Sequence, residues 1–121
     1  NEVKIGVPVP YLADLILRQL VGDRRATEMM YSGEFLGPEQ SYSIGLVDAV
    51  FSAEEVENEA IAKIGMLAVM PNKGFRLIKK NRVEALRLQY DQMRESEVDG
   101  FLNCWFDPSV QELLQAAAQK F

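Results

Sequence analysis

Few residue types here could do chemistry, and histidine is absent altogether. Without it the chain lacks the commonest general base and the commonest zinc ligand, so proton transfer or ligand capture falls to carboxylates, Lys, Tyr or backbone dipoles. Cys104 is the one cysteine, which excludes an internal disulfide and a cysteine metal cluster. Three groups of charged side chains remain. Glu2 stands just ahead of the run VKIGV and the Pro8 and Pro10 turn region, and by type alone it reads as a solvated acid. Glu54, Glu55, Glu57 and Glu59 place four acids in six residues, a density that would suit a hard cation. The positive end of a helix dipole explains acids in a first turn without any metal. Lys73, Arg76, Lys79, Lys80, Arg82 and Arg87 are six of the thirteen cations, opposed only by Glu84. They read as a solvated helix face, or as a holder for an anionic ligand such as a nucleotide phosphate.

The elements that must position these groups are mostly helices. Val3 to Val7 is rich in β-branched residues and closed by prolines, so it is expected to be a short strand. Helices are expected over about 11–21, 23–31, 38–44, 53–70, 72–81, 82–106 and 108–120. Their boundaries come from Gly22, Asp23, Gly33, Pro38, Gly45, the Ser52/Glu55 capping box, Pro71 and the Asp107-Pro108 pair. The first of these, YLADLILRQLV, has apolar residues on nearly every face and is expected to be covered on most sides. In the 82–106 helix the apolar stripe breaks at Glu97 and Gly100 lies inside, so a kink or break is expected around 96–100. Leu46 to Phe51 reads either as a second minor strand or as an extended connector. The fold class is therefore mainly α with one or two orphan strands. A strand without a partner leaves its backbone groups unpaired, so Val3 to Val7 is expected to belong to a sheet outside this segment.

Composition narrows the functional classes. The chain has 121 residues, 48% of them hydrophobic and 26% charged, which fits one packed domain rather than a disordered segment. Thirteen Lys+Arg against eighteen Asp+Glu give a net charge of -5, which argues against a nucleic-acid partner for the domain as a whole. No apolar run approaches the length of a membrane span, and the single free thiol suits a reducing compartment, so a cytoplasmic protein is expected. The chain opens at Asn1 with neither Met nor a basic leader, which suggests a piece of something longer.

NEVKIG (Asn1 to Gly6) supplies the pattern Glu2-x-x-x-Gly6. It is followed by an apolar helix to LVG (Leu20 to Gly22), RRATEMMYSG (Arg24 to Gly33) and GLVDAV (Gly45 to Val50). As an ordered set these segments resemble the crotonase superfamily, the enoyl-CoA hydratases and isomerases, along the whole chain, and FLNCWFDPSVQELL resembles the closing helices of the isomerase branch. The resemblance implies the C-terminal helical segment of that fold. An N-terminal spiral of ββα units, absent here, would supply the sheet, the CoA pocket and two oxyanion-hole donors.

The resemblance further implies that Glu2 is the catalytic acid that shuttles a proton on an acyl-CoA thioester, with coenzyme A as part of the substrate and no metal or other cofactor. The Asn-Glu pair favours the isomerases, and VPYLAD (Val9 to Asp14) replaces the Pro-Gly-Ala-Gly-Gly-Thr of typical hydratases. Lys120 is the one candidate for contact with substrate CoA near the C-terminus. Trimers or hexamers are implied for the complete protein, with this segment inactive alone. The aromatic cluster Tyr90, Phe101, Trp105 and Phe106 is expected to drive self-association. The alternative from another class is a non-catalytic helical oligomerisation or binding module.

Overall fold

The computed structural model describes residues 1–119, and among these it contains helices and no strand. A 3-10 turn, Glu2–Ile5, leads into α1 (Tyr11–Val21), α2 (Asp23–Ser32), α3 (Pro38–Ser43), α4 (Val56–Ala68), α5 (Asn72–Trp105) and α6 (Pro108–Ala118). Local chemistry sets most of the ends. Gly33 closes α2 in the left-handed region (φ 59°), its N–H returning to the Met29 carbonyl at 3.0 Å. Pro38 opens α3, where the Gln40 side chain accepts from the Gly37 N–H at 3.1 Å. Asp107 caps α6 by accepting from the Ser109 N–H at 2.8 Å, ahead of Pro108 at the first helical position.

The expectations for Val3 to Val7 and for residues 72–106 are corrected, and the alternative left open at Leu46 to Phe51 is settled. Val3 to Val7 is not a strand, because its backbone bonds close locally. The Lys4 N–H reaches the Asn1 carbonyl at 3.0 Å and the Val7 N–H reaches the Glu2 carbonyl at 3.0 Å, and Gly6 (φ 74°) ends the turn. Residues 46–52 form a connector, which resolves the second alternative strand. The helices expected at 72–81 and 82–106 are one helix, α5, unbroken at 81–82 and at 96–100. No proline interrupts it, and a single glycine at position 100 costs a helix only about 1 kcal/mol. The break in the stripe has another cause: the Glu97 carboxylate accepts from the Tyr11 N–H at 3.1 Å, capping α1 from 86 residues away.

The capping box also forms only by half. The Glu55 carboxylate binds both the Ser52 N–H (3.4 Å) and the Ser52 hydroxyl (2.8 Å), so residues 53–55 are a turn and α4 starts at Val56 rather than near 53.

Packing is concentrated around α1. It contacts α2 and α5, the 3-10 turn lies against α2 and α6, and α5 meets α6. Among the described residues Val7, Leu15, Ala26 and Val110 are the buried apolar ones. The covering expected for α1 is partial: Leu12, Ile16 and Leu20 are exposed. No other element packs on α4 among the described residues, and Ile61, Ile64, Leu77 and Ile78 project into solvent from α4 and the first half of α5. No described helix is long and apolar enough to cross a membrane.

Ala26, the one buried residue of α2, has no exposed surface. Ala26→Leu is therefore expected to destabilise the chain by about 1–3 kcal/mol through overpacking, read from the midpoint of urea unfolding at unchanged slope.

Candidate active site

Glu2 sits on a turn with no buried residue of its own, so its position depends on what closes over the turn. On one side lies the end of α2. A Cβ placed on Gly33 would come within 2.8 Å of Val3 Cγ1 and 3.3 Å of Lys4 Cγ, so only glycine allows this approach. The next residue, Glu34, receives the Lys4 ammonium at 2.5 Å. On the other side lies α6, where a Cβ on Gly6 would meet Val110 Cγ2 at 3.0 Å. Both glycines have positive φ, so conformation and space impose the same residue type.

The Glu2 carboxylate is about half exposed, and its Oε2 lies 2.8 Å from the Asn1 amine. The hydrogen bond from that ammonium, helped by Glu2's own backbone N–H and by the ammonium charge, holds the carboxyl below the ordinary glutamate range, a lowering that belongs to the free amine and lapses wherever a preceding residue turns it into a peptide N–H. Partial burial opposes this but does not win. A glutamate carboxyl at its ordinary value of 4.5 is already ionised at neutral pH, so Glu2 is able to accept a proton with or without that amine.

Beside the turn opens a cleft of about 530 Å3, lined mainly by apolar side chains that include Val3, Val7, Pro8 and Met30. Val3 follows Glu2 directly, so the turn that carries the carboxylate also forms part of the cleft wall. Asp14 and Arg18, one helical turn apart on α1, border the same space and pair through both guanidinium contacts, Nε to Oδ1 at 2.8 Å and Nη2 to Oδ2 at 2.6 Å. Asp14 is buried, and its partner satisfies the charge that burial would otherwise leave bare. Sequence reasoning missed this pair; the signal was an Asp and an Arg four residues apart inside an otherwise apolar helix. Cys104 borders the cleft too and is exposed.

The other charged groups do not join this site. Glu54, Glu55, Glu57 and Glu59 are exposed, Glu55 is turned to Ser52, and no group of three or more potential metal ligands occurs among the described residues. The cations from Lys73 to Arg87 are spread along α5. Two of them have local partners, Asn72 for Arg76 at 3.1 Å and Asp91 for Arg87 at 3.8 Å. Phe101 and Trp105 stack on α5 with centroids 5.9 Å apart, while Phe106 is exposed. Lys120 lies outside the described residues.

The Lys4–Glu34 contact has a defined pH response. The Lys4 hydrogen bond and charge hold the Glu34 pKa below its ordinary value of 4.5. The stabilisation is therefore complete above 4.5 and is lost as pH falls through the lower folded value. By NMR titration the Glu34 carboxyl is expected to have a midpoint below 4.5, and Lys4→Met is expected to return it to about that value. An unshifted wild-type midpoint would show that the contact does not persist in solution.

Comparison with known proteins identifies the family and the fold. The sequence profile described as enoyl-CoA hydratase/isomerase matches residues 1–120. The human mitochondrial enoyl-CoA delta isomerase 1 is 25% identical over 115 residues, 95% of this chain and 38% of that protein. A crotonyl-CoA hydratase of Syntrophomonas wolfei is 25% identical over 119 residues, 98% of this chain and 46% of that protein. The crystal structure of human mitochondrial delta3-delta2-enoyl-CoA isomerase superposes with a TM-score of 0.91 at 24% identity, covering 99% of this chain and 46% of that one, which establishes the fold. The chain thus spans less than half the length of the relatives it matches, and its helices are those of the helical part of the crotonase fold. The chain belongs to the enoyl-CoA hydratase/isomerase family.

Proposed function

We propose that Glu2 is the proton-shuttling carboxylate of an enoyl-CoA isomerase acting on acyl-CoA thioesters, with enoyl-CoA hydration as the neighbouring activity in the family. The observation that carries this reading is that an ionised carboxylate sits on a turn braced from two sides, and the residue after it walls an apolar cleft. In the proposed reaction two N–H donors bind the thioester carbonyl, supplied outside the residues matched here. Each contributes about 3–4 kcal/mol to stabilising the enolate oxygen. Glu2 takes a proton from the α carbon, the electron pair spreads onto the carbonyl oxygen, and the protonated Glu2 returns the proton at the γ carbon. The double bond moves and nothing is oxidised or reduced, so no metal or redox group is needed, and coenzyme A takes part as a portion of the substrate. A bound acyl chain that excludes water would raise the proton affinity of Glu2 toward its task.

Isomerisation is favoured over hydration because the Asn1-Glu2 pair resembles the isomerases and VPYLAD (Val9 to Asp14) departs from the run of typical hydratases. Among the described residues the other acid bordering the cleft, Asp14, is held at both oxygens by Arg18, so a second acid for hydration would, like the oxyanion donors, come from outside these residues. On this reading the 121-residue chain alone is inactive, and the complete assembly is a trimer or a pair of trimers. The apolar side chains exposed on α4 and α5 support association. A reducing compartment, the cytoplasm, is our assignment for a protein with a free, exposed Cys104. The alternative, a non-catalytic helical association module, rests on the same exposed faces and gives Glu2 no role.

In the natural full-length protein, Glu2→Gln is expected to preserve acyl-CoA binding and to lower isomerase turnover by about 10²- to 10⁴-fold. Near-normal turnover would return Glu2 to a solvated surface acid. Light scattering at tens of micromolar is expected to show a species larger than the monomer; a monodisperse monomer would contradict the association.

A further inference from the structure

Of the two contacts that brace the 3-10 turn, they grip different ends of it. Gly6, against Val110 and Leu113 of α6, lies four residues beyond Glu2. Gly33 instead lies against Val3 and Lys4, the two residues that follow Glu2 directly, and Glu34 holds the Lys4 ammonium on the same side. We propose that the end of α2, Gly33 with Glu34, is the seat that positions Glu2, so that Gly33 acts as a positioning residue for proton transfer. The inference rests on Glu2 being the proton shuttle.

Two separate demands at Gly33 can be told apart. Its φ of 59° is a left-handed conformation that asparagine also tolerates, so helix capping alone would accept Asn. The space would not, because any Cβ at position 33 comes within 2.8 Å of Val3 Cγ1. Val3 is β-branched and stiff about χ1, and its neighbour Lys4 is tied to Glu34, so relief comes from displacement of the turn. The turn has no buried side chain to resist that displacement, and the carboxylate moves with it. The seat is therefore a matter of contact with Val3 rather than of backbone conformation. A side chain that caps α2 well still misplaces the base.

The test uses the full-length protein and four changes. Glu2→Gln first establishes whether Glu2 is the base. Gly33→Asn is expected to lower kcat by about 10- to 100-fold with KM changed less than about 3-fold, the signature of a misplaced catalytic group. In a Val3→Ala background, where the colliding methyl is gone, the same Gly33→Asn change is expected to cost less than about 3-fold. Gly45→Asn is the control for backbone conformation: its φ is 77°, and a Cβ there meets nothing closer than the Leu20 carbonyl at 3.7 Å. It is expected to leave kcat unchanged.

Amide exchange reads the seat without reference to turnover. The Val7 N–H, which bonds the Glu2 carbonyl, is expected to exchange at least about 10-fold faster in Gly33→Asn and at the parent rate in Gly45→Asn. Loss of kcat in Gly33→Asn that is equal with and without Val3→Ala would overturn the seat and leave only a structural role. Unchanged kcat and unchanged Val7 exchange in Gly33→Asn, with Glu2→Gln inactive, would also overturn it while leaving Glu2 as the base. Normal turnover in Glu2→Gln would overturn the functional reading itself, and the positioning role with it.

Discussion

A four-residue turn cannot bury a core, so Glu2–Ile5 holds its shape only because two glycines let neighbouring elements close on it. Gly33 brings the end of α2 onto Val3 and Lys4, and Gly6 lets the turn settle on Val110 and Leu113 of α6. Everything else follows from keeping those two surfaces in place. α2 packs on α1 and on the turn, and carries the fully buried Ala26. α1 is fixed on α5, where Glu97 satisfies the otherwise unbonded Tyr11 N–H at its start. α6 is returned toward the turn by the Asp107-Pro108 corner at the end of α5. The helix contacts thus form a circuit that begins and ends at the turn that carries the residue we assign as the base.

The cleft beside the turn combines an apolar wall with one neutralised charge pair. Burying Asp14 unpaired would cost more than the helix could recover, and Arg18 meets it with two parallel contacts. Pairing leaves the cleft without a second free carboxylate from this pair. Proton transfer by one acid is consistent with that distribution of charge.

Much of this was legible in the residues. Glycine and proline marked the ends of α1, α2, α3 and α6 because these residues act on the backbone itself, and the ordered segments from NEVKIG to GLVDAV carried the family resemblance. What failed to show was anything set by distant partners. Val3 to Val7 has strand composition, yet a strand needs a neighbour, and with none among the described residues the backbone closes on itself as a turn. Glu97 looked like a flaw in an apolar stripe because its purpose, the Tyr11 N–H, lies 86 residues earlier. Ser52 and Glu55 satisfy the capping-box spacing, but their side chains bond each other and delay α4 to Val56. The apolar residues of α4 obeyed helical spacing without revealing that no described element covers them.

Proton shuttling by Glu2 depends most on where a substrate's reacting carbon sits relative to its carboxylate. A crystal structure of the full-length protein bound to an unreactive acyl-CoA thioether is the most direct measurement of that relation. The acyl chain is expected in the cleft beside Val3 and Val7, with a Glu2 carboxylate oxygen about 3–3.5 Å from the carbon that stands where the thioester has its α carbon. An acyl chain bound away from the turn, with Glu2 still in solvent, would contradict it.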